Sequence, residues 1–309
     1  MVPAQGQAAA IVQSARHEGF SYPVTAEFWI SQAFNGLSYG ALLFLLASGL
    51  SLIFGVMRVV NLAHGSYFML GGYVGLSVVW RTGSYLAALA CGALALALIG
   101  AGMQRFFLRR LPGQTLGQVL MTIGFALIFQ DLALLIWGGD PYTIPVPPAL
   151  QGVISVGALR FPRYRIFIVV VAVVVGALLW LALDRTRTGA IIRAAVDDAE
   201  MAGGVGIHVP RVSLAVFALG AALAALGGVI GGGFLGVYPG ADFEVLPYAF
   251  VVVIVGGLGS LPGAMVGSVL VGLLDNFGKA LFPELSYFTL FAPMALILAL
   301  RPTGLFGRG

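Results

Sequence analysis

Hydrophobic residues in this sequence come in long blocks separated by short polar breaks, a pattern that predicts membrane-crossing helices. The first block, residues 28–55, contains Gly36-x-x-x-Gly40, a spacing that lets helices approach closely. A second follows Arg58 at NLAHGSYFMLGGYVGLSVVW, a third covers 84–103, and a fourth, 116–137, comes after the basic loop QRFFLRRLPGQ. A polar, proline-rich stretch over 139–165 is too irregular to sit against lipid and precedes a fifth block at 166–183. The sixth, 212–237, carries Gly227, Gly228, Gly231 and Gly232 at helix-contact spacing. Two shorter pieces, 245–257 and 263–278, hinge at GLGSLPG, and a last block covers 287–300. The pattern predicts an all-α polytopic membrane protein with about 8–9 transmembrane segments, some broken or short, over 28–309. Residues 1–27 form an extension of unassigned role; they lack a basic start followed by an apolar core, so no cleavable signal peptide is expected.

One break differs from the rest. Residues 184–211, DRTRTGAIIRAAVDDAEMAGGVGIHVPR, hold eight of the chain's charged residues. At 3.6 residues per turn, Arg193, Asp197 and Glu200 share one face of a helix and Ile192, Val196 and Ala199 the other. Thr188 is the expected cap at its start, with Gly203, Gly204, Gly206 and Pro210 ending it. Such a helix docks a partner outside the bilayer, lies on the lipid surface or packs under its own bundle; the residues alone leave these open.

Composition agrees with the block pattern: 60% hydrophobic, 9% charged and a mean hydropathy of +1.00, far from a soluble domain. The net charge of +4 comes almost wholly from arginine, which here reports topology rather than nucleic-acid binding. If 184–211 is cytoplasmic, alternation also puts Arg58, Arg105, Arg109, Arg110, Arg301 and Arg308 inside, ten of the sixteen basic residues. The amino end is then outside and the carboxy end inside. The single cysteine, Cys91, excludes an internal disulfide and reads as a small packing residue.

Two places interrupt the regular backbone that lipid demands. Asn61, His64 and Ser66 sit at the start of the second block, and Ser260 lies in the glycine-rich hinge between the short pieces. Broken helices at membrane depth are tolerated where they line a wet cavity or are buried in protein. With Gln130, these residues are candidate lining for a translocation path; His64 has the plainer alternative of satisfying a neighbouring carbonyl. Asp131, in mid-block, would centre an ion-coupled carrier, whereas Asp275 lies near enough to an interface to be wet. The three histidines are remote from one another, so no metal site is expected. The only lysine, Lys279, is not in a GxxxxGK[ST] loop, so this chain carries no phosphate cradle of that kind.

These residues resemble a known family. FNGLSYGALLFLLASGLSLIFGVMRVVNLAHGSYFMLGGYVG (34–75) is similar to the amino-terminal pattern of branched-chain amino-acid type ABC importer permeases. GGLGSLPGAMVGSVLVGLLDN and the terminal RPTGLFGR resemble its carboxy-terminal one, and RTGAIIRAAVDDAEMAGGVGIHVPRV its coupling segment, with Ala199, Ala202, Gly206 and Arg211 at matching positions. The resemblance implies an ABC importer permease fold in a bacterial inner membrane. It implies a second homologous permease subunit, two cytoplasmic ATPase subunits holding ATP and Mg, and an extracytoplasmic solute-binding protein. It places Arg193, Asp197, Asp198, Glu200 and Gly206 in the coupling segment. Expected cargo is a branched-chain or other neutral amino acid or a related small polar or carboxylate solute; the rival readings are the Asp131-centred carrier and a passive urea or amide channel.

Overall fold

The computed structural model describes residues 25–307, so the proposed extension lies, but for its last residues, outside the described residues, as does Arg308. Eleven α-helices follow among the described residues, in the order α1 (Ala26–Met57), α2 (His64–Thr82), α3 (Tyr85–Phe106), α4 (Thr115–Trp137), α5 (Arg163–Arg185), α6 (Arg187–Asp197), α7 (Ala199–Gly204), α8 (Val209–Gly232), α9 (Ala241–Gly256), α10 (Leu261–Leu281) and α11 (Ser286–Leu300). Among the described residues, α1, α3, α4, α5, α8 and α10 are long and apolar enough to cross a membrane, while α2, α9 and α11 fall short in length or hydropathy.

The centre of the bundle is α1, α2 and α8, with α10 along α1, α3 against α2 and α8, and α9 between α1, α2 and α10. Small residues make these approaches possible. Gly36 and Gly40 on α1 face Gly272 and Ser268 on α10, and a Cβ on Gly40 would stand 2.5 Å from the Ser268 carbonyl. Gly49 meets Gly220 on α8, and Gly228 lies so close to α2 that a Cβ there would overlap the Phe68 carbonyl at 1.8 Å. Dispersion and backbone contact replace the hydrophobic drive that is absent between helices in lipid. The helices α4 and α5 sit at the periphery with most of their apolar surface exposed. Cys91 is exposed on α3 rather than packed, because α3 turns only one stripe toward α2 and α8.

Where the sequence suggested only irregular backbone, β1 (Val153–Val156) and β2 (Leu159–Pro162) form an antiparallel hairpin, with Val156 opposite Leu159. Gly157 supplies the left-handed first position (φ 62°) of its two-residue turn. The hairpin and the α6–α7 pair stand at opposite ends of α5, which joins them directly.

Candidate functional site

The polar island is not one helix. Asp198 is extended (φ −152°, ψ 103°) and splits it into α6 and the six-residue α7. Its carboxylate accepts from the Glu200 and Met201 amides at 3.0 and 2.9 Å, which caps α7. Thr186, not Thr188, caps α6 by accepting from the Gly189 amide at 3.0 Å, because its extended backbone at the end of α5 is already outside the helix. Gly206 at φ 93° turns the chain toward α8.

The apolar side of α6 is used up internally: Ile192 and Val196 pack against a cluster containing Leu52, Val56 and Leu179. Ala199, expected on that side, is exposed because the break at Asp198 rotates α7. Arg193 reaches back to Asp184 at 3.7 Å, a half-exposed pair of small energetic weight. What remains open is a mixed face of Asp197, Glu200, Ile191, Met201 and Val205, the last two 65% and 72% exposed. Met201 and Val205 belong to no motif or helix-face pattern in the sequence that would single them out.

A second site lies deep in the bundle. The chain leaves α1 at Met57, turns through left-handed Arg58 (φ 51°) and starts α2 only at His64, whose Nε2 donates to the Leu46 carbonyl at 2.9 Å. Leu46 stands roughly three turns, about 16 Å, before the end of α1, so α2 begins at mid-depth. The plainer reading of His64 is thus what the ring nitrogen does. The helix α9 begins at the same level: Ser66 Oγ donates to Asp242 Oδ2 at 2.7 Å, and Gly65 touches the Asp242 carbonyl. Asn61 caps the turn by accepting from the Ala63 amide at 3.1 Å, and Leu62 donates to Thr122 of α4.

Asn61, His64, Ser66 and Asp242 are essentially inaccessible, yet Asn61 Nδ2, His64 Nδ1 and Asp242 Oδ1 have no hydrogen-bond partner. Each orphaned polar atom costs about 1–3 kcal/mol. These three atoms lie at one depth, where α2 and α9 begin. Asp242 was hidden in the sequence, since YPGADFE reads as a loop and its partner is 176 residues away. Gln130 is half-buried against Gly240, one step from the Asp242 end of α9. Ser260 is not part of this group. It caps α10 by accepting from the Gly263 amide at 3.1 Å, at the far end of α9. Asp131 is exposed on the outer side of α4 and does not join the group either.

Asp275 is buried rather than wet, because Lys279 one turn on pairs with it at 2.8 Å. The Lys279 ammonium also lies over the Tyr39 and Tyr248 rings, at 5.8 and 5.5 Å. Lys279→Met leaves that carboxylate without its cation. We expect a loss of about 2 kcal/mol, the upper range for buried pairs being discounted for the half-exposed lysine. It reads as a lower thermal midpoint in detergent; an unchanged midpoint would show the pair to be idle.

A family model described as "Branched-chain amino acid transport system / permease component" matches residues 32–300. The chain belongs to that family. It is 30% identical over 299 residues to the high-affinity branched-chain amino acid transport system permease protein BraD of Pseudomonas aeruginosa, covering 91% of this chain and 96% of that one. It is 30% identical over 298 residues to LivH of Escherichia coli K12, with the same coverage. The ribose import permease protein RbsC of Escherichia coli K12 is 24% identical over 299 residues, covering 88% of this chain and 84% of RbsC. Among solved structures, PsaBC from Streptococcus pneumoniae in complex with Fab aligns with 12% identity and a TM-score of 0.47, over 86% of this chain and 89% of that one. As a member of the family, this branched-chain-type permease is an ABC importer permease embedded in a membrane, and a transport subunit rather than an enzyme in itself.

Proposed function

We propose that this permease forms half of a translocation pathway for branched-chain or other neutral amino acids, or related small polar or carboxylate solutes. It is driven by ATP bound with Mg on two separate cytoplasmic ATPase subunits, beside a second homologous permease and an extracytoplasmic binding protein. The observation that carries the reading is the α6–α7 pair. Its apolar side is already satisfied by the permease's own bundle, while Glu200, Met201 and Val205 stay exposed beside it. On this reading the ATPase grips that face on the cytoplasmic side of a bacterial inner membrane, and Arg193, Asp198 and Gly206 hold its shape. Movement passes through α5 and α8, the two helices continuous with the pair, to the mid-depth start of α2 and α9. Asn61, His64, Ser66 and Asp242 there, with Gln130 beside them, act as the element that rearranges as the path opens. The names of BraD and LivH support the cargo class.

Reconstitution tests it. Proteoliposomes holding both permeases, the ATPases and the binding protein are expected to concentrate leucine only when ATP is supplied to the ATPase side. Uphill uptake by this chain alone on a proton gradient would establish the Asp131-centred carrier instead, and ATP-insensitive downhill flux would establish a channel.

A further inference from the structure

The end of α3, the turn after it and the start of α8 close around a cleft of about 220 Å³. Its polar lining is Gln104, Arg105, Arg109, His208 and Arg211. No carboxylate lines it, and among the described residues none of the three arginines takes part in an ion pair. Two stretches about a hundred residues apart in sequence have thus been folded so that three guanidinium groups face one small space. Without a counter-charge they repel one another. The amino end of the 24-residue α8 opens at the same place and adds the positive end of its dipole.

The neighbourhood says where the counter-charge comes from. Phe106 and Phe107, between the lining residues Arg105 and Arg109, stand exposed, and the outward stripe of α3 continues with exposed Leu94, Leu98 and Ile99. That is the side of a helix wetted by acyl chains, ending in arginines and aromatic rings where headgroups begin. We propose that this cleft binds the phosphate of an anionic phospholipid whose chains lie along α3. Guanidinium forks match phosphate oxygens in pairs. A docking protein fits the charge pattern less well, because the exposed α6–α7 face nearby is acidic while the cleft is basic. The site is independent of the proposed coupling role and holds whichever leaflet the cleft faces.

The test compares the full-length permease with R105Q/R109Q/R211Q in one mild detergent. Binding of phosphatidylglycerol, phosphatidylcholine and inorganic phosphate is followed by native mass spectrometry and by thermal midpoint. The three substituted side chains are exposed, so the fold should persist; Arg160→Gln in the hairpin is the control. Wild type and control should hold phosphatidylglycerol and ignore phosphatidylcholine, and the triple variant should bind phosphatidylglycerol roughly a hundredfold more weakly, about one factor of five per arginine. Equal binding of phosphatidylglycerol by wild type and triple variant would overturn the site. So would indifference to headgroup, or stabilisation by inorganic phosphate without any by lipid. Loss of ATPase association in the triple variant with its lipid binding intact would assign the cleft to a protein partner instead.

Discussion

D198R/E200R is expected to abolish ATP-driven uptake while the permease still inserts and accumulates normally. Asp198 holds two amides of α7, and losing that cap costs about 1 kcal/mol, with a further 0.3–1 kcal/mol for a cation at the positive end of the helix. A six-residue helix has no reserve against this, so α7 melts and the open face loses its shape. Reversing Glu200 adds like-charge repulsion wherever the ATPase has matched it. Asp198→Asn keeps the cap and should keep most of the uptake. The readouts are leucine uptake and the stimulation of ATPase activity by binding protein; wild-type stimulation in the double variant would remove α6–α7 from the coupling path.

Gly228→Leu is expected to prevent the bundle from forming. The obstacle is the α2 backbone, since even a Cβ would sit 1.8 Å from the Phe68 carbonyl, and a backbone clash cannot be relieved by a rotamer. Opening the α2–α8 seam also loosens Gly71 against Ala225, two turns along α2 from His64. A loss of more than about 4 kcal/mol follows, enough to leave the protein degraded in the cell. Gly102→Leu on α3 is the matched control, because a Cβ there meets nothing within 4 Å. Normal accumulation and thermal midpoint for Gly228→Leu would show the seam to be softer than drawn.

The blocks of apolar residues located the long helices because lipid imposes one rule on every span, and α1 to α5 and α8 to α11 each fall on one of the nine blocks. Gly36-x-x-x-Gly40 was legible for the same reason, and it meets Gly272 and Ser268 as its spacing requires. What escaped were features decided by tertiary burial, by a distant partner or by backbone geometry. Asp242 looks like a loop residue until Ser66 is placed beside it, and Asp275 looks wet until burial and the Lys279 pair are both seen. Asp198 fits a helix face and a helix cap equally well, so only backbone geometry distinguishes them. The short strands of the hairpin carry too few residues to stand out from a proline-rich loop. Of the candidate path residues, Asn61, His64 and Ser66 are drawn together by the late start of α2, whereas Ser260 belongs to the other end of α9.

The central claim is that a separate ATPase grips the α6–α7 face from the cytoplasm. Met201→Cys in a Cys91→Ser background tests it with a membrane-impermeant maleimide, Met201 being the exposed centre of that face. Labelling should be absent in intact spheroplasts, appear after permeabilisation of cells lacking the ATPase, and be suppressed when the ATPase is present. Labelling from outside intact spheroplasts, or labelling that the ATPase leaves unchanged, would contradict the account.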